Sequence, residues 1–223
     1  ATAAGGGGGY QIERSLRFRS SASGYLSKAG SAGGTPKLWT FATWVKRAKL
    51  GAVCNIFAAG TNGSALLDVS FDATDHLYFA NYNGSFNWKL ITTAVYRDPS
   101  AWMHLVVGCD TDQATNTNRV YIEVNGTRLL STEYTTPTWP SSGFATGYVD
   151  GNYTHYIGSR PGTPEYSNMY LAETYFISGQ ALTASAFTET DANGNLVPKA
   201  FAGTFGSRDS YENFNDPTST TTI

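Results

Sequence analysis

Residues 101–130, AWMHLVVGCDTDQATNTNRVYIEVNGTRLL, constrain the fold of this 223-residue chain more than any other stretch. Two segments, 102–109 and 119–124, alternate at period two, the mark of a strand with one face toward a core. Met103, Leu105, Val107 and Cys109 share a face and are answered by Val120, Ile122 and Val124. His104, Val106 and Gly108 share the other face, answered by Arg119, Tyr121 and Glu123. Asn125-Gly126 then supplies the two positive-φ positions of a tight hairpin turn into residues 127–130. The stretch predicts a three-stranded antiparallel meander in mid-chain, with the other strands added around it.

The same pattern recurs along the chain. Strands are expected at 12–18, 25–28, 37–46, 52–59, 65–71, 76–81, 86–93, 155–159 and 169–178. Asn62-Gly63, Asn83-Gly84, Asn193-Gly194 and the polar residues 72–75 mark turns. In 169–178, strict alternation sets Tyr170, Ala172, Thr174 and Phe176 opposite Leu171, Glu173, Tyr175 and Ile177. Residues 183–188 are the one helical turn, with Thr183 as its N-cap. A charged fraction of 14%, an aromatic fraction of 14% and 24 glycines suit a turn-rich sheet protein. The fold class is therefore all-β: an antiparallel β-sandwich or jelly roll with at most one short helical turn. Residues 1–10 read as a flexible Gly-rich linker and 11–200 as the sandwich domain. Residues 201–223 read as an irregular tail packing back on the body. The glycine run and the Thr-rich end suggest a module of a longer protein.

Several function classes drop out early. A net charge of −2 leaves no electrostatic footprint for nucleic acid. No run approaches the roughly 18–20 apolar residues of a membrane helix, so no membrane insertion is expected. His76, His104 and His155 lack zinc-site spacing. Gly5–Gly9 lacks the lysine and following helix of a phosphate loop, and no Gly-x-Ser-x-Gly elbow is present. Asp110 and Asp112, with Asn116 or Asn118, could offer oxygens to calcium, but they read first as a solvated hairpin loop, so no cofactor is expected. Asn62, Asn83, Asn125 and Asn152 head sequons that are mostly Asn-Gly turns. Cys54 and Cys109 lie in apolar runs; a disulfide is open, and two buried thiols are the more ordinary reading. His104 is expected half-buried beside Tyr121.

Five segments, in order, resemble the laminin G-like, concanavalin A-like lectin/glucanase jelly roll. They are WTFATWVKR (39–47), AWMHLVVGCD (101–110), RVYIEVNGTRL (119–129), and HYIGSR (155–160) with MYLAETYFISGQALTASAF (169–187). The resemblance covers about Leu16 to Phe187 and implies the concanavalin A-like jelly roll. GYQIERSLRF, SGQALTASAF and NGNLVPKAFAGTFG further resemble versions of this domain in virion proteins of tailed bacteriophages. That implies a virion-exterior location on tail, fibre or head surface, other virion proteins as partners, and a homo-oligomer. Glucanases of this fold carry Glu-x-Asp-x-x-Glu on one strand, which is missing here: Glu123 and Glu173 each stand alone, and Glu189 and Asp191 fall in turn and loop. A non-enzyme is expected.

Binding remains. Sugars are held by aromatic faces together with carboxylates, amides or backbone groups. The loops 139–156 and 166–170 carry that mixture, giving Trp139, Tyr148, Asp150, Asn152, Tyr153 and Tyr156 as the candidate carbohydrate site, with Phe144 beside them. Host-surface polysaccharide is the expected ligand, for host-cell attachment. The alternative is a decoration protein whose aromatics cover the open end of the sandwich or pack on a neighbouring subunit. Glycoside hydrolysis comes third.

Overall fold

A computed structural model describes residues 9–30, 33–149, 151, 153–162 and 165–214. Its strands are β1 (Leu16–Phe18), β2 (Leu26–Lys28), β3 (Leu38–Arg47), β4 (Cys54–Asn62), β5 (Ala65–Phe71), β6 (His76–Asn83), β7 (Phe86–Val95) and β8 (Met103–Asp110). They continue as β9 (Val120–Val124), β10 (Thr127–Arg128), β11 (Thr154–Ile157), β12 (Met169–Ser178), β13 (Thr188–Thr190), β14 (Leu196–Pro198) and β15 (Ser210–Glu212). One sheet runs β1-β12-β3-β8-β9-β10, with β15 also on β12; the facing sheet runs β2-β11-β4-β5-β6-β7. All their pairings are antiparallel. The chain is an all-β sandwich, as its alternation requires.

The meander forms as expected. Leu105 pairs with Val124, Val107 with Ile122 and Cys109 with Val120. Asn125 and Gly126 take φ of 49° and 82° at the turn into β10. The apolar face meets Trp39, Phe41, Phe57, Phe79 and Trp88 in the core between the sheets. Both cysteines are buried free thiols.

The other face of the meander is not exposed. Val106 and Tyr121 join Ala42, Tyr175, Ile177, Ala184 and Phe187 in a second apolar cluster, which Leu182, Phe201 and Tyr211 pack against. The segment after β12 thus covers the outer face of the larger sheet, which is why β3 carries bulky side chains on both sides. Residues 201–214, expected as irregular, contribute β15, and Tyr211 pairs with Tyr175. The Asp216–Ile223 end lies outside the described residues, as does the glycine run but for Gly9. Tyr10, placed by sequence in the flexible linker, instead donates to Glu173 Oε2 at 2.7 Å.

Close approach explains one glycine. A Cβ on Gly108 would sit 2.6 Å from Tyr121 Cε1 and closer still to Cζ and the hydroxyl. That ring cannot swing away, because its hydroxyl donates to Leu182 O at 2.8 Å and Arg128 lies over its face. Gly108→Ala is expected to cost about 2–3 kcal/mol through overpacking, seen as a lower urea midpoint. Gly147→Ala, where a Cβ meets open space, should leave it unchanged.

A bulge corrects the strict alternation of β12. Ala172 pairs with Trp44 but Tyr175 with Ala42, so Glu173 and Thr174 together oppose Thr43. Parity flips there: Leu171 and Phe176 both face the core, whereas Tyr175 and Ile177 join the outer cluster.

Candidate functional site

Of the six sequence-derived candidates, the four that are described do not all converge. Trp139 packs edge-on against Tyr134 at 5.8 Å, half-buried on the core. It follows Thr138, which bridges to Lys89 of β7. Tyr148 meets Tyr153 edge-on at 5.2 Å, and Tyr153 backbone atoms crowd Gly30 just beyond β2. Tyr156 sits on β11. Three strands, β4, β5 and β6, separate β11 from β7, so Trp139 lies roughly 19 Å across the sheet from Tyr156 at the usual strand spacing. Asp150 and Asn152 lie outside the described residues. Phe144 packs edge-on against Trp88 at 6.0 Å.

Tyr156 has partners that sequence reasoning missed. Its neighbours His155 and Ile157 turn into the core, His155 stacking edge-on to Phe57 and Phe176. Tyr156 therefore points out of the smaller sheet, where Tyr25 lies 6.1 Å away and Tyr166 stands 6.0 Å from Tyr25, ring centroid to centroid. Tyr25 is 42% exposed. Tyr166 also walls a cleft of about 290 Å³ shared with Ser20, Lys49, Glu165 and Asn168. An accessible aromatic patch thus opens onto a polar cleft.

On the same outer face, pairing aligns Tyr156 with Ala58, Ala58 with Asp68 and Asp68 with Ala80. Asp68 is only 7% exposed. Burial pushes its carboxyl up to about 7, although Arg160 and a hydrogen bond from Ser70 pull the other way. Arg160 Nη1 lies 4.0 Å from Asp68 Oδ2, and Nη2 lies 2.9 Å from Glu165 Oε1. The available signal was a lone aspartate amid the apolar run ALLDVSF.

The carboxylates of Glu123, Asp110 and Asp112 and the rings of His104 and His155 are engaged in structural contacts. Glu123 Oε2 accepts the Ala184 N–H at 2.7 Å, so the carboxylate, and not Thr183, caps the short turn Ala184–Ala186. Glu173 lies three strand spacings away, roughly 14 Å, beyond the 5–9.5 Å of a glycosidase pair. His104 is fully buried between Trp44 and Phe187, not half-buried beside Tyr121, and burial drops its pKa to about 4. His155 is likewise lowered to about 4 by burial. Asp112 pairs with Lys37 at 3.3 Å and Asp110 accepts from Gln113. Arg119 braces that loop by donating to the carbonyls of Gln113, Ala114 and Pro140.

A larger groove lies on the other sheet. About 450 Å³ is lined by Ile12, Glu13, Arg14, Trp44, Trp102 and Leu196, among others. Trp102, 38% exposed, also walls a second hollow of about 270 Å³ beside Val95, Arg97 and Asp98.

Neither a family model nor a curated protein matches the sequence. Among solved structures, domains LG4-5 of the mouse laminin α1 chain superpose with a TM-score of 0.53 at 14% identity, covering 93% of this chain and 49% of that one. The chain thus spans about half the length of that laminin fragment. A pentraxin from Limulus polyphemus superposes at 0.46 and 16% identity, covering 78% of this chain and 75% of that one. Domain 4 of an arabinanase from Geobacillus stearothermophilus, solved with arabinotriose, superposes at 0.44 and 17% identity, covering 67% and 64%. The sandwich is a laminin G-like, concanavalin A-like jelly roll. At these identities the likeness is one of fold.

Proposed function

We propose that this chain is a non-catalytic carbohydrate-binding module on the exterior of a tailed-phage virion, in a tail or fibre, where it attaches to host-surface polysaccharide. The observation carrying the sugar reading is the Tyr25–Tyr156–Tyr166 patch opening onto the polar cleft. Ring faces cover the C–H surface of a pyranose, while Lys49, Glu165, Ser20 and Asn168 offer donors and acceptors for its hydroxyls. The virion setting rests on the sequence resemblance of GYQIERSLRF, SGQALTASAF and NGNLVPKAFAGTFG. Other virion proteins and further copies of the chain are its proposed neighbours.

A glycan array including host polysaccharide tests the reading. Tyr156→Ala and Tyr25→Ala are each expected to weaken binding by about tenfold or more, as losing an aromatic anchor does. Trp139→Ala should leave the affinity of the folded protein unchanged, because Trp139 stands at the far edge of the sheet. No binding above background by the wild type would sink the proposal.

The exposed groove at Trp102 favours a second reading, a decoration domain held to neighbouring virion proteins by that face. Virion images showing the chain in many symmetric copies on the head shell would select it. Density at a tail tip would select attachment.

A further inference from the structure

Eight buried side-chain polar atoms among the described residues lack a hydrogen-bond partner, and four of them belong to residues linked to one another by direct contacts. These are Asn55 Oδ1, Asp68 Oδ1, Glu165 Oε2 and Arg160 Nε. Native structures keep such atoms few, and each requires an explanation such as a bound water or ion. Their proximity is fixed by contacts made through their other atoms. Asn55 Nδ2 donates to the Glu165 carbonyl at 2.9 Å, and Arg160 reaches both Asp68 and Glu165. Asn55 pairs across the sheet with Ser70, two residues from Asp68. Asn55 is fully buried.

Three of the four orphans are oxygens, two from carboxylates and one from a carboxamide. No histidine or cysteine is among them. Arg160 engages Asp68 Oδ2 and Glu165 Oε1, the opposite oxygen of each carboxylate. With Asp68 and Glu165 ionised, the trio Asp68, Glu165 and Arg160 carries a net charge of −1. An all-oxygen donor set with residual negative charge is the preference of a hard cation, and calcium accepts both carboxylate and amide oxygens. We propose that Asp68, Glu165 and Asn55 hold a calcium-type cation through Oδ1, Oε2 and Oδ1. Arg160 orients the two carboxylates from the other side, and its Nε, a donor, is suited to an oxygen of a water carried by the ion. Glu165 borders the open cleft, which provides the entry path.

Calorimetry of the full chain with calcium chloride, and terbium luminescence excited through tyrosine, test the site directly. One ion per chain is expected. Asp68→Asn, nearly isosteric, and Glu165→Gln, on a partly exposed side chain, should each lower affinity by about tenfold or more. Asp112→Asn, in the hairpin loop, should change nothing. Absence of ion binding by the wild type would overturn the site whatever the variants do. Binding abolished by Asp112→Asn and untouched by Asp68→Asn would also overturn it. The readout is the ion itself, so failure here leaves the sugar-binding proposal standing.

Discussion

Arg47→Met is expected to lower unfolding free energy by about 3–5 kcal/mol, the usual result of stranding one member of a buried ion pair. Arg47 closes β3 of one sheet, and Asp75 lies in the β5–β6 turn of the other, so the pair fastens the two layers at one end. Arg47 Nη1 meets Asp75 Oδ1 at 2.7 Å and also donates to Tyr96 O, while Nη2 donates to Lys49 O. Asp75 accepts in addition from Gly51 N–H at 2.8 Å and Arg97 Nε at 2.9 Å. The guanidinium lies 4.3 Å from the centre of the Phe71 ring. Methionine keeps the packing on Phe71 and removes the charge, so the loss reports on Asp75, left with Gly51 and the exposed Arg97, and on the Tyr96 and Lys49 carbonyls that lose their donor. Burial alone would raise the Asp75 carboxyl, but the Gly51, Arg97 and Arg47 hydrogen bonds and the Arg47 charge outweigh it and hold the group at about 2. A folded pKa below the unfolded value of 3.8 means that Asp75 stabilises the fold above pH 4. That contribution is lost as pH falls from 4 toward 2. Denaturant midpoints measured across this window should drop in the wild type and drop less steeply in Asp75→Asn. An Arg47→Met protein as stable as the wild type at pH 7 would refute the fastening role.

The same distinction between local and distant causes separates what could be read in the sequence from what could not. The 103–128 meander was legible because both of its signals are local: side chains alternate at period two, and Asn125-Gly126 tolerates positive φ. The covering of its outer face was not legible, since Phe187, Phe201 and Tyr211 reach it from sixty to ninety residues away along the chain. Nor was the β12 parity flip, because a bulge needs a facing strand to be defined. Its trace in sequence was a lone Glu173 in an apolar run. At the candidate site, Tyr156 was visible as part of an aromatic segment, but Tyr25 joins it through the pairing of β2 with β11. Composition could not separate Trp139 from Tyr156, whereas sheet order does so at once.

Glu173→Ala is the second large effect, expected to cost about 3 kcal/mol because charged hydrogen bonds are lost and a buried donor is left without an acceptor. Glu173 Oε2 accepts from the hydroxyls of Tyr10, Tyr175 and Tyr211, each at 2.7 Å. Tyr175 and Tyr211 also stack, 4.5 Å between centroids. One carboxylate thereby gathers the segment before β1, the bulged strand and the last described strand. Burial raises the phenols of Tyr175 and Tyr211, and the Glu173 carboxylate raises both further, so they stay protonated donors across the working pH range. The backbone makes the residue harder to replace, since Glu173 sits at φ 49°, in the left-handed region disfavoured for a residue with a Cβ. Two variants divide the cost. Glu173→Gly removes the carboxylate but relieves the backbone, so it should be less damaging than alanine by about 1 kcal/mol. Glu173→Gln keeps an acceptor but offers a neutral one, so it should fall between alanine and wild type. Urea midpoints ordered wild type, glutamine, glycine, alanine would assign most of the stabilisation to the hydrogen bonds that the side chain accepts, with the gap between wild type and glutamine reading the charge. Glycine at or above glutamine would assign it to the strained bulge, and leave the three tyrosines as neighbours of Glu173 with little energetic weight.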